Sequence, residues 1–210
     1  MSHKPVPRQA YHHGDLRSAL LDAGLRLLRE RSVDDLGLRE LARDVGVSPA
    51  AIYRHFPDKN ALMAALAVEG LERMAAAQRQ ATQAAGGGKA GFLASGMAYV
   101  RFAVDFPGRF HLMFRHDLLL KEQPTLERAT GQAWDALEKI VLAIRGQPDG
   151  AELDAEGEAM LIGIWSTAHG FAHLTLDKKL ARITGCGSDD DMLENLFPTI
   201  IDTLWVKKLG

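Results

Sequence analysis

Cysteine and long apolar runs are almost absent from this chain of 210 residues. Cys186 is the single cysteine, which excludes an internal disulfide and favours a reducing compartment. No stretch approaches the roughly 18 uninterrupted apolar residues of a membrane span, and the polar first residues lack the apolar core of a secretion signal. These absences predict a cytoplasmic protein that does not bind membranes.

An excess of charge of one sign is also missing, because 25 Lys and Arg face 27 Asp and Glu and the net charge is −2. This balance argues against a protein that coats nucleic acid indiscriminately, so any DNA binding has to come from a local basic surface. Residues 1–60 contain ten basic and eight acidic side chains, whereas the remaining residues contain fifteen and nineteen. The positive excess is mild, but it lies in the N-terminal part.

Recognised catalytic and cofactor motifs are missing as well. The glycine-rich stretch 84–91 lacks the first glycine of a phosphate-binding loop, and its lysine is not followed by Ser or Thr. His169 and His173 have the spacing of a metalloprotease pair, but the glutamate that would act as the general base is absent. Ser166 or Thr167 beside His169 offers no oriented acid for a hydrolase. We therefore expect neither an enzyme nor a cofactor.

The chain does contain helical periodicity. It contains no strand-like alternation of apolar and polar residues. Apolar residues at three- and four-residue steps predict a short helix that ends at Gly46: Leu38, Leu41, Ala42 and Val45. Ser48 can cap a second helix that begins at Pro49 and continues to His55, before Pro57. Two short helices joined by a tight turn predict a helix-turn-helix, whose second helix enters the major groove of DNA.

A Gly-Val-Ser turn at 46–48, a Tyr-Arg-His-Phe run at 53–56 and an Asp-Lys pair at 58–59 accompany these helices. With these motifs the segment resembles the DNA-binding domain of TetR-family transcriptional regulators. The first helix of the pair often opens with Ser or Thr in that family, whereas Gly37 occupies the position here and offers no hydroxyl to a phosphate.

The resemblance also implies a set of DNA contacts. Tyr53, His55 and Lys59 are expected to contact phosphates. Residues near the base edges are expected to be Ser48, Pro49, Ala50 and Arg54. Arg39, on the first helix of the pair, is a further candidate.

These patterns divide the chain into a flexible basic arm (1–13), a helix-turn-helix head (14–60) and a helical body (61–210) whose first helix links the two. The glycine-rich stretch 84–91 is predicted to be a flexible break and is the best candidate for a domain boundary. In the body the periodicity predicts several helices and one polar loop: helices over 92–106, 124–145, 154–176 and 192–205, a new helix after the Pro107-Gly108 break, and a loop at 185–191. In TetR-like proteins the final helices pair across a two-fold axis.

A W-x-x-x-H-G motif at 165–170 resembles the Trp-His-Gly signature of one C-terminal class of TetR-like regulators. Gly170 would let another helix approach closely. His169 has two interpretations, either a buried side chain with a satisfied hydrogen bond or a polar group that lines a pocket. With His173 and a histidine of segment 111–116 it could also bind a regulatory metal, although such a ligand shell is incomplete.

Aromatic, methionine and leucine side chains are concentrated in the body, which favours an apolar cavity of the kind that binds small molecules. The candidate lining residues combine large apolar side chains with one imidazole: Phe102, Phe106, Met113, Trp134, Met160, Trp165 and His169.

The sequence therefore predicts an all-α protein with an N-terminal three-helix DNA-binding head and a C-terminal ligand-binding and dimerisation body. We expect a homodimeric repressor that binds a near-palindromic operator and is released by a small apolar or amphipathic effector. The alternative is a helical small-molecule or metal-binding protein without specific DNA binding.

Overall fold

The computed structural model describes residues 16–115, 123–185 and 188–206, and every regular element in these ranges is helical. The head and the linking helix comprise α1 (Leu16–Leu27), α2 (Leu38–Val45), α3 (Pro49–Tyr53) and α4 (Lys59–Ala84). The body continues with α5 (Gly88–Asp105), α6 (Pro107–Met113), α7 (Pro124–Ile144), α8 (Ala155–Leu176) and α9 (Lys179–Thr184). The predicted all-α class is confirmed over the described ranges, whereas the predicted arm at 1–13 lies outside them. Among the described helices, none has the length and apolar character needed to cross a bilayer.

The turn between α2 and α3 has the geometry that its residues favour. Gly46 adopts a left-handed conformation with φ 78° and ψ 28°, and its N–H closes the last turn of α2. The Ser48 hydroxyl accepts a hydrogen bond from the Ala51 N–H at 3.3 Å and so caps α3. α3 ends at Tyr53, two residues earlier than predicted, because the chain then tightens into a turn in which the His55 N–H donates to Ile52.

α4 belongs to both parts of the subunit. The Asp58 carboxylate caps its first turn by accepting a hydrogen bond from the Ala61 N–H at 2.8 Å. α4 packs against α1 in the head and against α5, α6 and α7 in the body. Within the glycine-rich stretch 84–91, residues 85–87 form a tight turn that folds α5 back along α4. α5 begins at Gly88, four residues before the predicted start at Phe92.

The last described segment mixes α- and π-helical turns. It consists of four short pieces: α10 (Asp189–Asp191), a π turn (Met192–Leu196), α11 (Phe197–Ile201) and a second π turn (Asp202–Val206). The first π turn ends beside Pro198, which has no N–H and cannot continue the ordinary helical ladder. Helix α9 was not predicted, and the predicted loop at 185–191 is too long, since Ser188 caps α10.

The head meets the body where the end of α1 abuts the start of α6. At Gly108 an added Cβ would overlap the carbonyl oxygen of Leu28, so only glycine permits this approach of backbone to backbone. At Gly70 an added Cβ would lie 2.7 Å from the Met113 sulfur, so α4 and α6 are also closely packed. The position of α6 therefore determines where the head lies.

Arg109 occupies the space next to this contact. Arg109 is only 7% exposed, and its Nη2 donates a hydrogen bond to the Leu25 carbonyl at 3.3 Å. The guanidinium carbon lies 4.5 Å from the centre of the Phe106 ring. Burial lowers the pKa of Arg109, and the positive charges of Arg73 and Arg29 lower it further. Arg109 thus joins α6 to the last turn of α1 through a buried cation.

Gly108→Ala should lower the free energy of unfolding by about 1–3 kcal/mol, because the new methyl group forces α6 away from the carbonyl of Leu28. Gly131→Ala is the matched control, since it adds a methyl group inside α7 where no atom lies within 4 Å. It should raise stability by up to about 1 kcal/mol through helix propensity. Urea unfolding followed by circular dichroism measures both, and equal midpoints for Gly108→Ala and the unchanged protein would contradict the close contact.

Candidate nucleic-acid interface and effector site

Helix α3 buries one side and exposes the other. Ile52 is fully buried and Phe56 is 2% exposed, whereas Tyr53 is 50% exposed. The eight predicted DNA contacts all have exposed side chains: Arg39, Ser48, Pro49, Ala50, Tyr53, Arg54, His55 and Lys59. The surface that the sequence assigns to DNA is therefore accessible, and the individual contacts with DNA stay predictions.

The head carries arginines whose charge no carboxylate neutralises. Two ion pairs neutralise other arginines of the head: Arg26 with Asp44, and Arg31 with Glu40. Within residues 16–115, Arg39, Arg43 and Arg54 take part in no ion pair. Arg43 was not among the predicted contacts, although its position one turn after Arg39 indicates the same face of α2. The basic surface therefore extends from α3 onto α2.

Lys59 is held by the head itself. Its Nζ donates a hydrogen bond to the backbone carbonyl of Asp34 at 2.9 Å, in the segment between α1 and α2. An ammonium group has three N–H donors, so two of them stay available to a phosphate. The predicted phosphate contact at Lys59 is therefore oriented by a backbone carbonyl before any DNA is bound.

The start of α2 lacks a side-chain cap. Gly37 lies in extended conformation with φ −114° and ψ 140°, and no side chain bonds to the N–H groups of the first turn. An added Cβ at Gly37 would meet no atom within 4 Å, so this position has room for the hydroxyl residue that the family often has. The free N–H groups of the first turn are the donors that remain for an anion there.

A cluster of aromatic rings surrounds His169 in the body. The His169 cluster consists of side chains from the stretch between α5 and α8: Tyr99, Phe110, Phe114, Trp134, Trp165, His169 and His173. The Tyr99 hydroxyl lies 2.8 Å from Nδ1 of His169, and the Trp165 ring stacks on the imidazole at 5.0 Å. Trp134 contacts Trp165 at 5.0 Å and is 38% exposed, so it forms the outer edge of the cluster.

The polar groups of the His169 cluster are neutral at pH 7. Burial is the larger cause and the charge of His173 the smaller one, and together they lower the pKa of His169 to about 4. Burial also lowers the pKa of His173 and raises that of the Tyr99 hydroxyl. Either the hydroxyl donates to Nδ1 or Nδ1–H donates to the hydroxyl, depending on the tautomer. The structure thus contains the hydrogen-bonded form of His169 that the sequence allowed.

Among the described residues, no ring contact joins Phe102 or Phe106 to this cluster. Phe102 and Phe106 contact each other at 5.3 Å, next to Arg29 and Arg109 at the junction of head and body. Met113 packs against α4, and Met160 is partly buried against the core. Of the seven candidates, Trp134, Trp165 and His169 are joined by ring contacts. Sequence reasoning missed three neighbours of His169, namely Tyr99, Phe110 and Phe114.

Metal ligation was the other interpretation of the histidines. His111 and His173 have ring centres 5.8 Å apart. In the ranges 16–115, 123–185 and 188–206, no three His, Cys, Asp or Glu side chains come together as a metal site requires. His116 lies outside those ranges.

The stability of the protein should fall as the pH is lowered from about 6.5 to about 4. In that window the unfolded imidazole of His169 takes up a proton while the folded one, with its pKa lowered to about 4, stays neutral. His169→Asn should reduce the slope of the free energy of unfolding against pH. The reduction should be less than about 1.4 kcal/mol per pH unit, which is the limit for one proton, because His169 is only partly buried. Unfolding midpoints measured across this window test it, with His55→Asn on the exposed side of α3 as the control. An unaltered pH dependence in His169→Asn would contradict the assignment.

Two family models match this chain, one in the head and one in the body. Residues 20–66 match the model of bacterial regulatory proteins of the tetR family, and residues 92–204 match the model of the tetracyclin repressor-like C-terminal domain. The tetracycline repressor protein class D of Escherichia coli is 44% identical over 57 residues, which are 27% of this chain and 26% of that protein. The matched segment thus spans about a quarter of the length of the curated relatives.

Solved structures extend the similarity to the whole fold. A protein of unknown function from Rhodococcus sp. RHA1 is 31% identical, with a TM-score of 0.76 over 95% of this chain and 98% of that one. A TetR variant from Acinetobacter baumannii AYE in complex with minocycline is 18% identical, with a TM-score of 0.57 over 91% of this chain and 94% of that one. The likeness to the Trp-His-Gly class stays a prediction.

The two family matches together cover more than half of the chain, and the fold agrees over nearly all of it. The prediction that the chain is not an enzyme is confirmed with this result. The chain belongs to the TetR family of bacterial regulatory proteins, whose members are DNA-binding transcriptional regulators.

Proposed function

We propose that this protein regulates transcription in the bacterial cytoplasm by binding operator DNA through α3. The observation that carries the proposal is the division of α3 into a buried side, fixed by Ile52, and an exposed side that presents Tyr53, Arg54 and His55. A helix with this division can enter a major groove without disturbing the core of the head. Arg39 and Arg43 on α2 add positive charge that attracts the phosphates on either side of the groove.

Our proposal of a homodimer is supported by an exposed, uncharged stripe on α8. Ile162, Ser166, Gly170 and Leu174 are spaced four residues apart, and Ile162 is 58% and Leu174 40% exposed. Among the residues that the structure describes, no packing neighbour lies within 4 Å of a Cβ added at Gly170, so the close approach expected at this glycine is available to a second copy. Apolar side chains of the last segment, including Leu204 at 42% exposed, extend the surface. Two copies paired here would present two α3 helices to half-sites about 34 Å apart or a multiple of that spacing.

Release of DNA by a small apolar or amphipathic effector is the mode of regulation that the body supports best. The His169 cluster combines stacked aromatic rings with one neutral hydroxyl–imidazole pair, which suits a ligand with a planar apolar part and one polar group. α4 and α6 connect the body to the head. A ligand that binds one arrangement of these helices more tightly than another therefore changes the free energy of DNA binding, by at most the difference between its binding free energies for the two arrangements. Repression released by such a ligand is therefore our proposal for the regulatory logic.

Lys59→Ala and Arg54→Ala should weaken DNA binding in different ways. Lys59→Ala should lower affinity for every duplex and reduce the slope of log K against log salt by about one per subunit, because it removes a phosphate contact. Arg54→Ala should cost on the order of 1–3 kcal/mol only at particular base pairs, if it bonds a guanine edge. Fluorescence anisotropy with duplexes tiled upstream of the protein's own gene measures both, with Arg128→Ala on α7 as the control.

Equal affinity of the unchanged protein for all tiled duplexes would favour the alternative, a ligand-binding protein without specific DNA recognition. An unchanged salt slope for Lys59→Ala would remove Lys59 from the contacts with DNA.

Ile162→Asp and Gly170→Arg should each convert a dimer into a monomer, because they place charge on the uncharged stripe of α8. Neither change disturbs the subunit, since Ile162 is exposed and the space beside Gly170 is open. Analytical ultracentrifugation reads out the mass, and circular dichroism checks that the helices persist. Ile183→Asp serves as the control, because Ile183 is 79% exposed on α9 and lies off the stripe. Dimers that persist in both variants would show that the copies pair elsewhere.

A further inference from the structure

Within the described residues, only one of the two ring nitrogens of His169 makes a hydrogen bond. Nδ1 lies 2.8 Å from the Tyr99 hydroxyl, whereas no described group bonds to Nε2. In the same ranges, the side-chain nitrogen and oxygen atoms that are both sealed from solvent and unbonded are Nε of Arg109 and Oε1 of Gln147. Nε2 of His169 is not one of them, so it is accessible. It is therefore a polar atom of the His169 cluster that a ligand can use.

The surroundings of Tyr99 determine what Nε2 can offer. Tyr99 is 6% exposed, and in the described part of the chain the acceptor next to its O–H is Nδ1 of His169. If Nδ1 carried the imidazole proton, the buried O–H would have no acceptor, and leaving a buried donor unsatisfied is costly. The hydroxyl therefore donates to Nδ1, and the proton of the neutral imidazole lies on Nε2.

Trp165 favours the same arrangement. Burial raises the pKa of the Tyr99 hydroxyl, and a hydrogen bond from the Trp165 side chain lowers it in part. An indole N–H can only donate, so this bond ends on the Tyr99 oxygen and leaves the hydroxyl hydrogen for His169. The three side chains thus form a relay in which Trp165 donates to Tyr99 and Tyr99 donates to His169. Trp165 and His169 are four positions apart on α8, so one helix carries both ends of the relay.

The rings beside His169 are only partly covered by the described part of the subunit. The Phe114 and Trp165 rings lie 4.6 Å and 5.0 Å from the imidazole and are partly exposed, and Trp134 is 38% exposed. His169 and His173 are neutral at pH 7, because burial lowers both pKa values. A charged ligand group would lose hydration here without a counter-charge from the imidazoles, whereas a neutral polar group needs only one hydrogen bond.

We propose that the effector of the His169 cluster is an uncharged aromatic compound with a carbonyl group, whose oxygen accepts a hydrogen bond from Nε2–H of His169. This inference rests on the effector site proposed above and specifies its ligand. The aromatic part of the ligand lies against Phe114 and Trp165. Tyr99 is a positioning residue, because it holds the proton on the nitrogen that contacts the ligand. Aromatic compounds that lack an acceptor, or that carry a carboxylate, bind less tightly.

The position of the proton can be measured on the full chain without ligand or DNA. Long-range proton–nitrogen correlation spectra at pH 7 separate a protonated ring nitrogen from an unprotonated one, and His169→Asn identifies the signals of His169. We expect the proton on Nε2 in the unchanged protein, and exchange between the two tautomers in Tyr99→Phe. Circular dichroism checks that Tyr99→Phe is folded. A proton on Nδ1 in the unchanged protein would overturn the proposal, and an unaltered Nε2 form in Tyr99→Phe would overturn the role of Tyr99.

A matched pair of probes tests the need for an acceptor. Acetophenone and α-methylstyrene have nearly the same shape, but only acetophenone has an oxygen that can accept a hydrogen bond. Acetophenone should bind about tenfold more tightly than α-methylstyrene, because one hydrogen bond separates the two complexes. Benzoate should also bind more weakly than acetophenone, because its charge has no counter-charge on the imidazoles. Isothermal titration calorimetry on the full chain measures these affinities.

Two substitutions of His169 serve as controls for each other. His169→Gln places an amide N–H near the position of Nε2, so it should keep a preference for acetophenone over α-methylstyrene. His169→Asn places its amide near the position of Nδ1, so it should lose that preference. A merely structural role of His169 would weaken the binding of both probes equally in both variants, and this result would contradict the proposed bond to the carbonyl.

The outcomes distinguish this inference from the proposed function. Equal affinity of the unchanged protein for acetophenone and α-methylstyrene would overturn the inference and leave an effector site without this preference. Failure of all the probes to bind at millimolar concentration would refute the effector site itself, and the inference with it. Acetophenone that binds without changing the affinity for DNA, measured by anisotropy, would refute the proposed release of DNA and leave the ligand class in place.

Discussion

The contact between the start of α6 and the end of α1 determines how the rest of the subunit is arranged. α3 has only five residues, fewer than an isolated helix needs to be stable in water, so its orientation comes from tertiary contacts. Ile52 fixes α3 to the head, and Gly108 and Arg109 fix the head to the body. Because backbone meets backbone at Gly108, a shift of α6 has no side chain to absorb it and has to move α1. A change in the packing of the body therefore changes the position of α3 and of its exposed side chains.

The head could be predicted from sequence because its signals are local. A glycine in the left-handed region, a serine cap and a proline at the first helical position each act within a few residues, and together they determine the turn. The same holds for the caps of α4 and α8, where Asp58 and Asp154 accept bonds from N–H groups three residues on. The misplaced boundaries lie at turns whose exact bonds periodicity does not specify, as at the end of α3 and in the glycine turn at 85–87.

The body was predictable as a set of helices but not as a site. Tyr99 and His169 are 70 positions apart, and periodicity on one helix carries no information about which residue of another helix it meets. Aromatic content alone suggested seven lining residues, of which Phe102 and Phe106 lie instead beside the arginines of the junction. The π turns of the last segment could not be predicted either, because the presence of Pro198 does not specify which helical distortion forms around it.

Under the proposed function, Gly37 affects how much free energy an effector has to supply to release the DNA. A hydroxyl at this position would add one bond to a phosphate, and such a bond contributes about 1 kcal/mol. In the proposed homodimer both subunits lack this bond, so the affinity for DNA would be lower by about 2 kcal/mol, or roughly thirtyfold. Under the proposed regulation, an effector that discriminates only modestly between the two states would then be enough to release the DNA. Gly37 would in this way make the proposed response more sensitive to its effector.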